Sequence, residues 1–378
     1  MTAFSAKSFD DHEQVVFASD KNSGLKTIIA VHDTTLGPAV GGCRMFPYAC
    51  DDEALDDVLR LSRGMTYKSA LAGLPFGGGK SVVIGDPSQL KTPALWRAMA
   101  KVLDGLGGGY VAAEDSGTSV ADMREIGRHT PYVSGVGATE FGGDPSPSTA
   151  RGVFVAIKTA LAHRLGSEDF AGVRVAIQGL GHVGYALAGM LTEAGAKVLA
   201  ADINADNVER ARRDLGVQPL DCADILSADV DVFSPCALGG ALNEDSIPTL
   251  RAGIVAGAAN NQLREVEDAS RMADRGILYC PDFLINAGGI IDVHYQRTGL
   301  DRNKLMGHID SVGPRLIEVF NRADLGHRST AEIAEELARE ILAQGAKKLT
   351  KATTPPTASD NAQPLTCSQQ PNPALEVA

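Results

Sequence analysis

Cysteine is scarce in this 378-residue chain: Cys43, Cys50, Cys222, Cys236, Cys280 and Cys367 are the whole set, and none forms a C-x-x-C pair. A disulfide framework is excluded, and free thiols in a reducing compartment are expected. No stretch approaches the ~18 consecutive apolar residues of a membrane span. The opening Met1-Thr2-Ala3-Phe4-Ser5-Ala6-Lys7 lacks the apolar segment of a secretory signal, so a cytoplasmic location is expected. Positive charge is also short. Lys and Arg total 35 against 47 Asp and Glu, a net charge of -12, which argues against a nucleic-acid or anionic-membrane partner. No His/Cys/Asp cluster has ligand spacing, so no metal is expected, and the chain has no short internal repeat.

Glycine is what the chain has in quantity. It contributes 41 residues, many clustered, and such clusters often mark close approach of backbone to a ligand. Residues 15–17 and 27–31 read as short strands, 51–65 as a helix opened by three acids, 81–84 as a strand and 95–106 as a second helix. Residues 142–149, Gly-Gly-Asp-Pro-Ser-Pro-Ser-Thr, form the strongest linker candidate, followed by a helix from about Thr149 to Arg164. Strands at 173–178, 197–201, 230–233 and 254–256, spaced by helix-sized intervals, indicate a parallel doubly wound sheet. Residues 330–349 read as a last helix. Residues 351–378, with five prolines and three charged residues, read as a disordered tail.

Gly179-Leu180-Gly181-His182-Val183-Gly184 matches G-x-G-x-x-G. The pattern alone is weak, but here it follows the 173–178 strand and precedes a helical run over 185–194. Asp202 stands eighteen residues past Gly184, at the end of the next strand. That context suits a dinucleotide: a tight turn, pyrophosphate on a helix N-terminus and an acid for the ribose. A carboxylate at Asp202 favours NAD over NADP, although a loop-capping aspartate is the competing account. Gly77-Gly78-Gly79-Lys80 suggests backbone wrapped around a small ligand, yet Leu74 occupies the first glycine position of a Walker A loop and phosphate transfer is demoted. Glu114 and Asp115 end an apolar strand over 110–113. Two lysines, Lys68 and Lys80, an aspartate and a nicotinamide site are thus implied. A lysine near another cation and shielded from water can act as a base near neutral pH.

Several stretches together resemble a known family, the amino-acid dehydrogenases acting on glutamate, leucine, valine and phenylalanine. They are Leu36-Gly37-Pro38-Ala39-Val40-Gly41-Gly42-Cys43-Arg44, Arg63-Gly64-Met65-Thr66-Tyr67-Lys68, Phe76-Gly77-Gly78-Gly79-Lys80, Ala113-Glu114-Asp115-Ser116-Gly117-Thr118, Gly257-Ala258-Ala259-Asn260-Asn261 and Pro281-Asp282-Phe283-Leu284-Ile285-Asn286-Ala287-Gly288-Gly289. The likeness spans roughly residues 10–350 and is nearest to the leucine-type members. It implies an α/β fold, with an N-terminal substrate and oligomerisation domain over 1–140 joined by the 328–350 helix. A Rossmann domain over 141–327 and a cleft between the two complete the expectation. It further implies NAD-dependent conversion of an L-amino acid to a 2-oxo acid and ammonium by a cytoplasmic homo-oligomer, an octamer or a smaller even assembly.

By motif position, Lys68 would hold the substrate carboxylate with the backbone at Gly41 or Gly42, beside Met65. Lys80 would activate water as general base, and Asp115 would shuttle protons to the amino group. Asn260, Asn261 and Asn286 would line the junction of nicotinamide and substrate, and Thr149 would face the nicotinamide amide. Cys236, Ala237 and Ala259 would join the cofactor site. Glutamate-specific members resemble the chain around Gly-Pro-x-Lys-Gly-Gly, but here the lysine position holds Val40, and the family's later serine is replaced by Val293. A buried γ-carboxylate without partners costs several kcal/mol, so glutamate is disfavoured. Val40, Ala113, Ile290 and Val293 form an aliphatic pocket suited to leucine, valine or isoleucine. Phenylalanine stands second, since Phe76 before the triple glycine resembles some phenylalanine enzymes. A Rossmann reductase acting without ammonia would need a catalytic histidine or a Tyr-x-x-x-Lys pair, and the only histidine in a motif, His182, lies inside the glycine fingerprint. A non-catalytic NAD-binding protein would be expected to lack Lys80 or Asp115.

Overall fold

A computed structural model of the protein describes residues 3–136, 144–237, 239–299 and 301–353. The chain begins with β1 (Gln14–Asp20), β2 (Leu25–Asp33), β3 (Ala39–Phe46), α1 (Asp51–Leu71), β4 (Gly77–Ile84), α2 (Pro93–Gly105), β5 (Tyr110–Glu114) and α3 (Val120–Gly127). Next come α4 (Ser146–Leu165), β6 (Arg174–Gln178), α5 (His182–Glu193), β7 (Lys197–Ala201), α6 (Ala205–Leu215) and β8 (Gln218–Pro219). Then follow β9 (Val232–Pro235), β10 (Ile254–Val255), α7 (Glu267–Asp274) and β11 (Leu278–Tyr279). The helices α8 (Asp282–Ile285), α9 (Gly288–Thr298), α10 (Arg302–Asp310), α11 (Val312–Gly326) and α12 (Thr330–Thr353) complete it.

Two sheets carry the architecture. The first runs β1-β2-β4-β3-β5, antiparallel across β1/β2 and β2/β4 and parallel across β3/β4 and β3/β5. Helix α1 covers one face. Its acidic first turn complements the helix dipole, and Ala54, Leu55, Val58 and Leu59 pack on Ile28, Ala30 and Val82. The other face buries Leu95, Trp96, Met99, Leu103, Met123 and Ile126 from α2 and α3. The second sheet is wholly parallel in the order β11-β10-β9-β6-β7-β8. The order reverses direction between β6 and β9, the place where a doubly wound sheet opens a crevice. Ile333, Ala334 and Leu337 of α12 share a core with Tyr67 and Leu71 of α1 and with the second sheet.

Two expectations need correction. Helix α4 starts at Ser146 rather than Thr149, so residues 146–149 of the expected linker form its first turn. Proline is tolerated there because its missing N–H has no intrahelical partner. Residues 142 and 143 lie outside the described residues, as do residues 354–378 of the expected tail, while residues 351–353 close α12.

The triple glycine is the second correction. Gly77, Gly78 and Gly79 are buried strand residues of β4, and their backbone is packed against protein rather than around a small ligand. A methyl at Gly78 would stand 2.1 Å from the Thr66 backbone nitrogen of α1, and one at Gly79 would stand 2.6 Å from the Tyr110 ring. These glycines let helix α1 close onto β4 and leave room for the Tyr110 ring, which reaches across from β5. Gly78→Ala is expected to lower stability by about 2–3 kcal/mol through overpacking, read as a fall in the thermal unfolding midpoint.

Candidate active site

The two sheets face each other across a cleft of about 540 Å³. Strand alternation puts Gly42 and Arg44 on one face of β3, and a Cβ at Gly42 would lie 2.6 Å from Asp115 Cβ and 3.0 Å from Lys80 Nζ. The missing side chain leaves room for an ion pair. Lys80 Nζ donates to Asp115 Oδ2 at 2.6 Å, with Lys80 buried and Asp115 largely shielded from solvent. Arg44 Nε donates to the same oxygen at 3.2 Å, and Arg44 Nη1 donates to Asp57 Oδ2 at 2.9 Å. Burial alone would raise the Asp115 carboxyl, but Lys80 and Arg44 more than offset it and bring it down to about 2.

Lys68 projects from α1 into the same cleft. Its Nζ donates to Asn260 Oδ1 at 2.9 Å, and Asn286 Nδ2 donates to that oxygen at 3.1 Å. Burial pulls the Lys68 ammonium down to about 8; Asp282 and Asp115 oppose the shift, and Lys80 adds to it. Asp282 is itself buried and raised by that burial, which the Tyr279 hydroxyl and Lys68 counter. It accepts from Tyr279 Oη at 2.8 Å and from the Asn261 N–H at 2.7 Å, holding Asn261 in its left-handed conformation (φ 51°). Val40, Ala113, Met65, Ile290 and Val293 belong to the apolar part of the lining, together with Leu61, Val183, Ala258 and Phe283. Val40 and Ile290 continue into a core with Phe76 and Val111.

The glycine turn lies at the other end. Gly179 adopts φ +99°, where a side chain would be strained. A Cβ at Gly184 would strike Gly179 O at 2.0 Å, whereas one at Gly181 would meet open space. Helix α5 starts here with no side chain capping its first N–H groups. Cys236 and Ala237 pack behind Gly184 and Gly179. Asp202 Oδ2 accepts the Leu180 N–H at 2.6 Å, and Oδ1 accepts the Asn204 N–H at 2.7 Å. The capping account of Asp202 is therefore correct as far as it goes. Oδ2 also accepts from Asn207 Nδ2 at 3.5 Å, and Oδ1 keeps a lone pair for a further donor.

The structure brings Gly41, Gly42, Lys68, Lys80, Asp115, Thr149, His182, Val183, Asn260, Asn261 and Asn286 to the lining of one cleft, together with the apolar residues above. Gly179, Leu180, Gly181, Gly184, Asp202, Cys236, Ala237 and Ala259 are not in that lining. Ala259 is buried, its N–H bonded to Pro235 O at 3.0 Å. His182 is exposed and pairs with Asp144 at 3.1 Å.

Residues 12–132 match the family described as Glu/Leu/Phe/Val dehydrogenase, dimerisation domain. Residues 144–205 and 203–298 match Glutamate/Leucine/Phenylalanine/Valine dehydrogenase. The leucine dehydrogenase of Geobacillus stearothermophilus is 47% identical over 332 residues, 87% of this chain and 90% of the relative. The phenylalanine dehydrogenase of Bacillus thermotolerans is 43% identical over 342 residues, 89% of this chain and 90% of the relative. A crystal structure of L-tryptophan dehydrogenase from Nostoc punctiforme superposes with a TM-score of 0.74 at 42% identity, covering 89% of this chain and 97% of that one. The chain belongs to the Glu/Leu/Phe/Val dehydrogenase family. Its fold is the mixed α/β arrangement expected, and its class is that of the NAD(P)-dependent amino-acid dehydrogenases. Among the described residues no group of three His, Cys, Asp or Glu could hold a metal ion, and no helix is long and apolar enough to cross a membrane.

Reading motifs for catalytic residue types passed over Arg44, Asp57, Asp282 and Glu114. Arg44, Asp282 and Glu114 stand inside the motifs that carry the family likeness, so a signal was present for them. Asp57 had none, being one acid among several in α1. The depressed Lys68 gives a test. Its folded value lies below that of an unfolded lysine, so the folded chain binds fewer protons between about pH 8 and pH 10.5 and stability rises with pH across that window. Lys68→Met is expected to raise the thermal midpoint at pH 7 by about 2–5 °C. The gain should shrink toward pH 10, in calorimetry run at both pH values.

Proposed function

We propose that this chain catalyses the NAD-dependent oxidative deamination of an aliphatic L-amino acid, with leucine, valine and isoleucine preferred, and the reverse reductive amination. One observation carries the proposal: the Lys80–Asp115 pair and Lys68 share a cleft with Val40, Ala113, Ile290 and Val293. In the balanced reaction, amino acid, NAD and water give 2-oxo acid, ammonium, NADH and a proton. The bound cofactor supplies the hydride acceptor. Lys68, with the backbone at Gly41 and Gly42, binds the substrate carboxylate, and Met65 and the aliphatic residues receive the side chain. Asp115 takes a proton from the substrate ammonium, leaving the nitrogen lone pair free as the Cα–H is lost. Lys80 takes a proton from the water that attacks the imino carbon. Asn260 and Asn286 keep Lys68 aimed, and Asn261 continues that wall toward the nicotinamide. Closure of the cleft would exclude water from the imine.

The glycine turn fits a dinucleotide: Gly181 faces open space, the first turn of α5 has no side-chain cap, and Thr149 lines the adjoining cleft. In this reading Gly179, Leu180, Gly181, His182, Val183 and Gly184 cradle the pyrophosphate, backed by Cys236, Ala237 and Ala259. The remaining lone pair on Asp202 Oδ1 accepts from a ribose hydroxyl, and the carboxylate charge repels a 2′-phosphate. Asp202→Ser is expected to cut the preference for NAD over NADP at least about tenfold in kcat/KM, since one buried charge repulsion of this kind exceeds a kcal/mol. We further propose a cytoplasmic homo-oligomer, an octamer or a smaller even assembly, in which Phe17, exposed on edge strand β1, becomes covered. In this arrangement the first sheet and its helices, with residues 328–350, form one domain, and residues 141–327 form the other.

The test is NADH formation with L-leucine, L-valine, L-isoleucine, L-phenylalanine and L-glutamate. Turnover is expected to be highest with the branched-chain substrates and negligible with glutamate. Lys80→Gln is expected to lower kcat by about 10³-fold while NAD remains bound. A phenylalanine preference would retain the mechanism and overturn the aliphatic pocket. Binding of NAD without turnover on any substrate would favour the non-catalytic account.

A further inference from the structure

We propose that Arg44 is a positioning residue for proton transfer, and that Arg44 and Asp57 together set the charge and orientation of the Asp115 carboxylate that meets Lys80. The proposal deepens the reading above and rests on it. Its basis is a chain of alternating charge, Lys80–Asp115–Arg44–Asp57, with successive contacts of 2.6, 3.2 and 2.9 Å. Tyr48 ends the chain by donating to Asp57 Oδ2 at 2.5 Å. Burial and the Asp57 charge hold the Tyr48 phenol far above its ordinary range, so it remains a donor.

The geometry is directional. Lys80 and Arg44 converge on one oxygen of Asp115, Oδ2, from the adjacent strands β4 and β3, and the Ser116 N–H also bonds the carboxylate. Two cations on one oxygen fix the rotation of the carboxylate, so Oδ1 is held in one orientation for proton exchange with the substrate amine. The backbone is pinned independently: the Asp115 N–H donates to Thr118 Oγ1 at 3.0 Å, and that hydroxyl donates to Cys43 O at 2.9 Å. Arg44 therefore acts on the side chain rather than on the fold of the loop. Its guanidinium is permanently charged, and its two donors engage two different carboxylates, which a lysine ammonium would do only with looser aim.

Other ionisable groups surround the chain. Lys68 comes from α1, Glu114 and Tyr110 from β5, Cys43 from β3, Asp122 from α3 and Asp282 from α8. Substituting Arg44 or Asp57 leaves all of these unchanged, so opposite charge deletions should act in opposite directions on the pair. Loss of the Arg44 cation makes the Lys80–Asp115 pair hold its proton more tightly. Loss of the Asp57 anion makes the pair release it earlier.

The experiment compares the full-length wild type with Arg44→Gln, Arg44→Lys and Asp57→Asn. In Arg44→Gln the rising limb of kcat/KM against pH is expected to move up by about one unit, with kcat down about tenfold or more and KM changed less than about threefold. Arg44→Lys should restore part of the shift, and Asp57→Asn should move the limb down. An unshifted limb in a folded Arg44→Gln, or shifts of the same sign in Arg44→Gln and Asp57→Asn, overturns the proposal. If Arg44→Gln does not fold, Asp57→Asn decides alone: a downward move supports the proposal, and no move or an upward move overturns it. The pH dependence of Lys80 labelling by an amine-reactive reagent, followed by peptide mass spectrometry, reports the same directions without turnover. If no amino acid is oxidised, the functional reading fails while the labelling still decides the role of Arg44.

Discussion

How closely β3, β4 and α1 approach one another governs everything in the cleft, and that distance is set by residues that carry no side chain. Methyl groups at Gly41, Gly42 and Gly78 would meet Gly79 O at 1.8 Å, Asp115 Cβ at 2.6 Å and Thr66 N at 2.1 Å. Each contact lies far inside van der Waals distance, so any larger residue forces the elements apart. Lys68 on α1, Lys80 on β4 and Asp115 after β5 meet only because those gaps are closed. The glycines thus contribute to the chemistry through packing between protein elements, at some distance from any cofactor.

Bringing two lysines together out of water has an electrostatic cost, and the surroundings distribute it unevenly. Asp115 faces Lys80 and Arg44 and is driven far into its ionised form. Lys68 has no carboxylate in hydrogen-bond contact; its partner is the amide oxygen of Asn260, and burial weakens its hold on a proton. In the proposed role, an arriving substrate carboxylate supplies the missing anion. Binding would then draw Lys68 back to its charged state, coupling substrate capture to proton uptake at one residue. Neighbouring lysines can differ in this way because one has a built-in counter-ion and the other is left for the ligand to complete.

The sequence made the second sheet more legible than the first, for identifiable reasons. Residues 197–201 read as a strand and coincide with β7, because a parallel strand buried on both faces is a short continuous apolar run. Strand β3 was invisible as a strand: Gly41, Gly42 and Arg44 break both apolar continuity and period-two alternation, and only the tertiary packing of α1 makes those residues suitable there. The same override makes Gly77, Gly78 and Gly79, read as backbone packed around a small ligand, part of strand β4. The two-residue strands β8 and β11 are too short to leave a periodic signal, whereas the apolar run at 254–256 marks β10. At the site, the lysines and Asp115 could be found from their motifs. The contacts of Arg44 with Asp57 and of Asp282 with Asn261 span 13 and 21 positions and required the fold.

The relatives divide by substrate name with little division in overall likeness: the leucine enzyme is 47% identical and the tryptophan enzyme 43%, over nearly the same extent. A difference that small cannot reside in the scaffold, which the crystal structure of the tryptophan enzyme shares. Selectivity among apolar side chains must therefore lie in a few wall positions, where one methylene is worth only about 1–3 kcal/mol. In the proposed reading Val40 and Ile290 occupy such positions, and behind them Phe76 packs edge-on against His294 at a centroid distance of 5.3 Å. The aromatic residue that suggested a phenylalanine pocket from sequence is absent from the cleft lining and backs the aliphatic wall. It shapes the pocket from behind by limiting how far Val40 and Ile290 can yield to a ring. A stiff second layer of this kind narrows specificity without touching the substrate, whereas the charged end of the cleft is free to stay the same whatever side chain is bound.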